Sequence, residues 1–139
     1  MKIGNYSISQ IKNGEHFNIS DRPCILIQIL DNDEMEVIPF HFSKFKESYR
    51  FNFLDTNEES IYSITNSQAK DISEILINSK KLNYDIIVHC HAGICRSGAI
   101  TESAKLIGYE VAHDSNKGIP NSLVYNKIRV ALGFKYSWE

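Results

Sequence analysis

The sequence predicts an α/β fold in a single domain spanning residues 1–139, with a central, largely parallel sheet flanked by helices. Three observations carry this. Tyr84-Asp85-Ile86-Ile87-Val88-His89-Cys90 is too continuously apolar to have one wet face, which suits a central strand of a parallel sheet. Strand-like and helix-like segments alternate along the chain. No repeat, low-complexity tract or Pro/Gly-rich linker marks a boundary, and 139 residues suffice for one well-buried core.

In chain order, Cys24 to Leu30 is a short apolar run stopped by Asp31-Asn32-Asp33, the pattern of a buried strand and a turn. Met35 to Phe40 reads as a second strand. Arg50 to Leu54 alternates polar and apolar residues before breaking into the polar stretch Asp55 to Ser60, a strand running into an exposed loop. Thr65 and Gln68 have capping-box spacing, and Ala69, Ile72, Ile75 and Leu76 form one stripe, which predicts a helix over about residues 66–80. Ile100, Ala104 and Ile107 predict a helix over 96–107 ended by Gly108. Asn121, after Pro120, caps a last helix with Val124, Ile128, Ala131 and Leu132 inward, stopped near Gly133.

Bulk properties narrow the function. The formal charge is -2 and the sequence pI is near 6.2, so there is no basic footprint for nucleic acid. The opening residues, Met1 to Gly14, have neither the apolar run of a secretion signal nor an Arg-rich amphipathic pattern, and no apolar run is long enough to span a bilayer. The expectation is a cytosolic protein without membrane or nucleic-acid partners. Three cysteines, Cys24, Cys90 and Cys95, are too few and too odd for a disulfide framework.

The chemistry concentrates between the central strand and the next helix, in His89-Cys90-His91-Ala92-Gly93-Ile94-Cys95-Arg96-Ser97-Gly98. A cysteine at the end of a buried strand, followed by a short Gly-containing loop into a helix, sits under the positive helix end among unpaired N–H groups. That environment favours two anions: the Cys90 thiolate and a phosphate above it. The loop of His91, Ala92, Gly93, Ile94 and Cys95 is thus a candidate phosphate cradle. The Arg96 guanidinium would grip two phosphate oxygens at once, in the ground state and in the flat transition state. Ser97 would donate its hydroxyl to the sulfur, making it a better leaving group, while His89 would orient the loop from behind.

His89-Cys90, five residues, then Arg96-Ser97 resembles the signature of protein tyrosine phosphatases, and Ala92-Gly93-Ile94 is similar to their compact dual-specificity-like branch of small bacterial and phage type. Pro120-Asn121 with Leu123-Val124 resembles a late segment of those small enzymes, so the similarity runs from about residue 24 to about residue 133, densest at the loop. The resemblance implies a metal-independent, cofactor-free phosphatase acting on phosphotyrosine, and in this branch on phosphoserine or phosphothreonine, of a protein or on a small phosphoester; RNA 5′-phosphates and phosphoinositides stay open as substrates, with the lack of basic charge counting modestly against both. It also implies a phosphocysteine intermediate and an aspartate on a separate loop as general acid, a position matched by Asp55. Glu58, Glu59 and Asp33 are alternative acids. The chain has Cys95 where many relatives have serine, Ser122 where they have arginine, and Leu54 where some carry a second aspartate.

Other readings stand beside these. Cys24 reads as an inert buried residue. Zinc binding by His89, Cys90, His91 and Cys95 conflicts with adjacent strand residues pointing in different directions and with the cation of Arg96. Cys95 as a resolving thiol conflicts with strain in so tight a turn. His16, His41 and His113 read as surface or loop residues, and Lys44, Lys46 and Arg50 as a solvated face. The rival functions are a non-catalytic phosphate-binding module and a rhodanese-like sulfurtransferase or arsenate reductase, neither of which needs Asp55.

Overall fold

The computed structural model describes residues 1–19, 22–32, 39 and 42–134. Its elements are β1 (Lys2–Ser7), α1 (Ile8–Asn13), β2 (Cys24–Leu30), a 3-10 turn at Phe42–Lys44, β3 (Glu47–Asn52), α2 (Asn66–Lys81), β4 (Asp85–Cys90), α3 (Arg96–Lys105), β5 (Glu110–Val111) and α4 (Ser122–Ala131). The sheet runs β3-β2-β4-β1-β5 with every pairing parallel. The continuously apolar strand is therefore the middle one, as its composition requires. Because all five strands point the same way, their carboxyl ends share one edge, and the loops after β1, β2, β3 and β4 open together there.

Side-chain alternation sorts the two faces of the sheet. Ile25, Ile27, Ile29, Ile86, Val88 and Cys90 join Ile3 on one face, packed against Ile72 and Leu76 of α2, Ile100 and Ala104 of α3, and Val124 and Ile128 of α4. Tyr6, Cys24, Leu26 and Ile87 turn to the other face, covered by Ile11 of α1 with Phe17, Ile19 and Phe45. Helices α1, α2 and α4 each begin on a local signal. Ser7 with Gln10 and Thr65 with Gln68 form complete capping boxes for α1 and α2. Asn121 Oδ1 accepts the N–H of Val124 at the start of α4.

The expected elements lie close to the observed ones, with differences that have physical causes. The helix after the loop ends at Lys105, because the N–H groups of Leu106, Ile107 and Gly108 bond the carbonyls of Ser103, Ala104 and Lys105, tightening the chain into a turn that Gly108 completes at φ 100°. The third strand starts at Glu47, drawn into register by six parallel partners on β2. Residues 1–14, to which the sequence pattern assigns no element, form β1 and α1, and β5 is a two-residue addition to β1. The strand expected over Met35–Phe40 lies outside the described residues, Pro39 excepted. No helix among the described residues is long and apolar enough to cross a membrane.

Ile27 is fully buried in β2 between β3 and β4. Its replacement by alanine is expected to lower the unfolding free energy, measured in a urea titration, by about 3 kcal/mol. A loss below about 1 kcal/mol would contradict this position in the core.

Candidate active site

Strand β4 delivers Cys90 to the carboxyl edge, 2% exposed, and α3 begins six residues later at Arg96. The intervening loop lies against the chain leaving β1. Gly93 is at φ 69°, and a Cβ there would stand 2.3 Å from the carbonyl carbon of Tyr6 and 2.4 Å from the N of Ser7, so a larger residue would push the loop off its shelf. The N–H of Ile8 donates to the carbonyl of His91 at 3.3 Å, tying the same two segments. Cys95 occupies the N-cap of α3 without a side-chain capping bond. The first N–H groups of the helix thus have no side-chain acceptor from the cap, which leaves them for an anion.

Three side chains meet at the foot of this helix. Cys90 Sγ lies 3.1 Å from Ser97 Oγ, and the Ser97 hydroxyl also donates to Asn5 Oδ1. Arg96, 5% exposed, donates from one terminal nitrogen to Asp31 Oδ1 at 2.7 Å and to the carbonyl of Phe53 at 2.8 Å. Its Nε is buried with no partner among the described residues. An unsatisfied buried donor costs about 1–3 kcal/mol, and more when it belongs to a charged group. Asp31 and Phe53 therefore fix one side of the guanidinium while its Nε lacks an acceptor that a bound oxyanion could supply.

Asp55 stands exposed on the loop after β3, held from the side by Asn121. Asn121 Nδ2 donates to Asp55 Oδ1 at 2.7 Å and to the carbonyl of Thr56 at 3.0 Å, while its Oδ1 caps α4. Asn57 accepts from the N–H and hydroxyl of Ser122, a second tie between the same segments. Cys95 interacts with both Asp55 and Cys90. Burial pushes its thiol pKa up, the charges of Asp55 and Cys90 and a hydrogen bond to Asp55 add to this, and Arg96 opposes it. The other acids are placed differently. Glu59 pairs with Lys127 of α4 at 2.6 Å, Glu58 is exposed on the loop, and Asp33 lies outside the described residues.

His89 faces the opposite side of β4 from Cys90, as alternation demands, and does not join the cluster. It is fully buried, and its Nε2 is 3.1 Å from Oε1 of Gln28, its register partner on β2. Desolvation lowers its pKa to about 4, with a backbone contact at Cys90 pulling weakly the other way, so it supports the strand behind the cysteine as a neutral ring. This placement separates His89 from Cys90, His91 and Cys95 as a ligand set. No group of three or more His, Cys, Asp or Glu side chains among the described residues is arranged to hold a metal ion. In the loop itself, His91, Ala92 and Ile94 are exposed, Gly93 is buried and Cys95 is half-buried. Cys24 is buried on β2, where desolvation raises its thiol pKa far above the ordinary value.

Sequence reasoning did not reach Asn5, Gln28 or Asp31 as parts of this constellation, and it read Asn121 only as a helix cap. Asn5 and Gln28 stand out in one respect: each is a carboxamide on a strand face otherwise built from apolar residues.

A human tyrosine phosphatase-like serine/threonine/tyrosine-interacting protein superposes on this chain with a TM-score of 0.61, covering 92% of this chain and 89% of its own, at 17% sequence identity. The chain has the tyrosine phosphatase-like fold. OH1 from the Orf virus, a tyrosine phosphatase, aligns at a TM-score of 0.49 and 16% identity over 76% of this chain and 55% of the viral one. No protein-family model matches the chain, and no curated protein matches it in sequence. In this fold the loop after β4 and the start of α3 lie at the carboxyl edge of the sheet's middle strand.

The buried His89 makes stability depend on pH. Its folded pKa of about 4 lies below the ordinary 6.5, so between these values the unfolded chain holds more protons than the folded one. Stability from this group is complete above about pH 6.5 and declines as pH falls towards about 4, by about 3 kcal/mol in total. Urea midpoints taken across this window should fall with acid in the wild type and change less in His89→Gln. Equal slopes in both proteins would contradict a neutral buried imidazole.

Proposed function

We propose that this chain is a cysteine-dependent phosphatase that hydrolyses phosphomonoesters through a cysteinyl-phosphate on Cys90, without a metal ion. The observation that carries the reading is the convergence at one helix N-terminus of the Cys90 sulfur, the Ser97 hydroxyl and a buried Arg96 with an unpartnered Nε. A sulfur nucleophile, an anion cradle and a fixed guanidinium are what transfer of a phosphoryl group to sulfur needs.

In the first step the Cys90 thiolate attacks phosphorus, the S–P bond forms, the ester P–O bond breaks, and Asp55 gives its proton to the leaving oxygen. In the second, water attacks phosphorus and passes a proton to the Asp55 carboxylate, while the S–P bond breaks and the thiolate returns to Cys90. Arg96 and the N–H groups of the loop and α3 balance the charge on the equatorial oxygens throughout. Ser97 donates to sulfur as it leaves. The bond from Asn121 and the interaction of Asp55 with Cys95 support the acid assignment, because they tie Asp55 to the start of α4 and to the loop that follows Cys90. The substrates we assign are phosphomonoesters on protein, phosphotyrosine first and phosphoserine or phosphothreonine after it, and the chain is expected to work in the cytosol.

The test is hydrolysis of p-nitrophenyl phosphate in EDTA. Wild type should turn over and be blocked by vanadate, and Cys90→Ser should be inactive. Arg96→Lys should lose about a thousandfold in kcat/KM, because lysine replaces a planar fork with a point charge. Asp55→Asn should lose about a hundredfold in kcat and the alkaline limb of its pH profile. A wild type that binds vanadate without turnover would replace this reading with a non-catalytic phosphate-binding module. Turnover of thiosulfate that is indifferent to Asp55→Asn would replace it with a sulfurtransferase.

A further inference from the structure

We propose that Asn5, on β1, is a positioning residue of this reaction: its side-chain carbonyl sets the Ser97 hydroxyl, and through it the sulfur of Cys90, for the step in which sulfur leaves phosphorus. The inference rests on the phosphatase reading and adds a residue to it from the far end of the chain.

The placement follows from register. Asn5 pairs with Val88 and Ser7 with Cys90, so Ile3, Asn5 and Ser7 share the face on which Cys90 lies. Its nearest neighbours on this face of β1 and β4 are Ile3, Ile86 and Val88, and the residue is 1% exposed. A carboxamide buried in such a place destabilises the fold unless it is bonded. Its Oδ1 accepts from the Ser97 hydroxyl, and its Nδ2 reaches the carbonyl of Asn116 at a long 3.4 Å. The backbone is clamped to the segment after β5, with the N–H of Asn5 donating to Ser115 Oγ at 2.9 Å and the N–H of Asn116 donating to the Asn5 carbonyl at 2.9 Å. The amide therefore has little freedom to move away from Ser97.

Ser97 has one proton and two acceptors in reach, Asn5 Oδ1 and Cys90 Sγ. When the hydroxyl donates to Asn5 Oδ1, a Ser97 lone pair faces the sulfur. When the S–P bond breaks and charge builds on sulfur, the hydroxyl rotates and donates to it instead. Asn5 keeps Oγ at its 3.1 Å from Sγ in both orientations and accepts the hydroxyl's hydrogen bond again once the thiolate is used. No covalent bond is made or broken by Asn5, so its contribution passes through Ser97 and falls on hydrolysis of the phosphoenzyme rather than on its formation.

The experiment is rapid mixing of p-nitrophenyl phosphate with wild type, Asn5→Ala, Ser97→Ala and the double variant, with vanadate binding measured alongside. Asn5→Ala should release p-nitrophenol in a burst of about one per enzyme, then continue about tenfold more slowly than wild type, the loss of one positioned hydrogen bond. Ser97→Ala should show the same pattern, and the double variant should be no slower than Ser97→Ala alone. Asn5→Ser, which keeps an oxygen on that side chain, should recover part of the steady rate and takes the place of Asn5→Ala if the latter does not fold. Effects that multiply in the double variant, or a burst slowed as much as the steady rate, would overturn the role of Asn5 and leave the phosphatase standing. A wild type with no turnover at all would overturn both.

Discussion

A guanidinium that is 95% withdrawn from water must be paired, and in this chain that requirement organises the carboxyl edge of the sheet. Arg96 takes a carboxylate from the residue after β2 and a carbonyl from the residue after β3. Two segments, far from it in sequence, are thereby tied to the first turn of α3. With Asp31 about 39% exposed in its side chain, the ion pair is screened by solvent, and its value is geometric more than energetic. It fixes the plane of the fork, so that the Nε is held in place before any oxyanion arrives. A phosphate entering the loop would meet donors that need no reorganisation, which is how such sites gain on water.

The remaining parts of the site are hung from the same frame. The loop of residues 91–95 rests on β1 through Gly93, whose positive φ and missing Cβ allow backbone to approach backbone. Asn121 serves two elements with one side chain: it caps α4 through Oδ1 and holds the Asp55 loop through Nδ2. The candidate acid is exposed, yet its position is coupled to a helix whose inner residues, Val124 and Ile128, are fully buried in the main core. The strand that carries Cys90 is supported from behind by His89 and Gln28, a contact that pairs one ring nitrogen of His89 with the Gln28 carboxamide inside an apolar layer.

Signals that act over a few residues made much of this readable from sequence. The unbroken apolar run of β4, the capping box at Thr65, the cap at Asn121 and the glycine-containing loop before Arg96 each state a local rule, and the structure follows them. The first strand obeys no such rule. Lys2–Ser7 includes Gly4, Asn5 and Ser7, and it is a strand because β4 and β5 flank it on both sides, a cause located more than eighty residues away. Asp31 illustrates the same difficulty at the site. Beside Asn32 and Asp33 it reads as a turn former, and only the parallel packing of β2 against β4 brings it to Arg96. Asn5 and Gln28 are conspicuous as carboxamides among apolar neighbours, but their partners Ser97 and His89 are set by strand register, which a single sequence does not display.

The account depends on phosphorus becoming bonded to one particular sulfur. Its most direct test is to mix Ser97→Ala with a phosphomonoester, quench in acid within a turnover and locate the phosphoryl group by mass spectrometry of the peptides. The account predicts a single phosphoryl group on the peptide carrying Cys90, absent in Cys90→Ser and lost on neutral incubation. Turnover with no phosphoryl group on that peptide, or with the group on another residue, would contradict it.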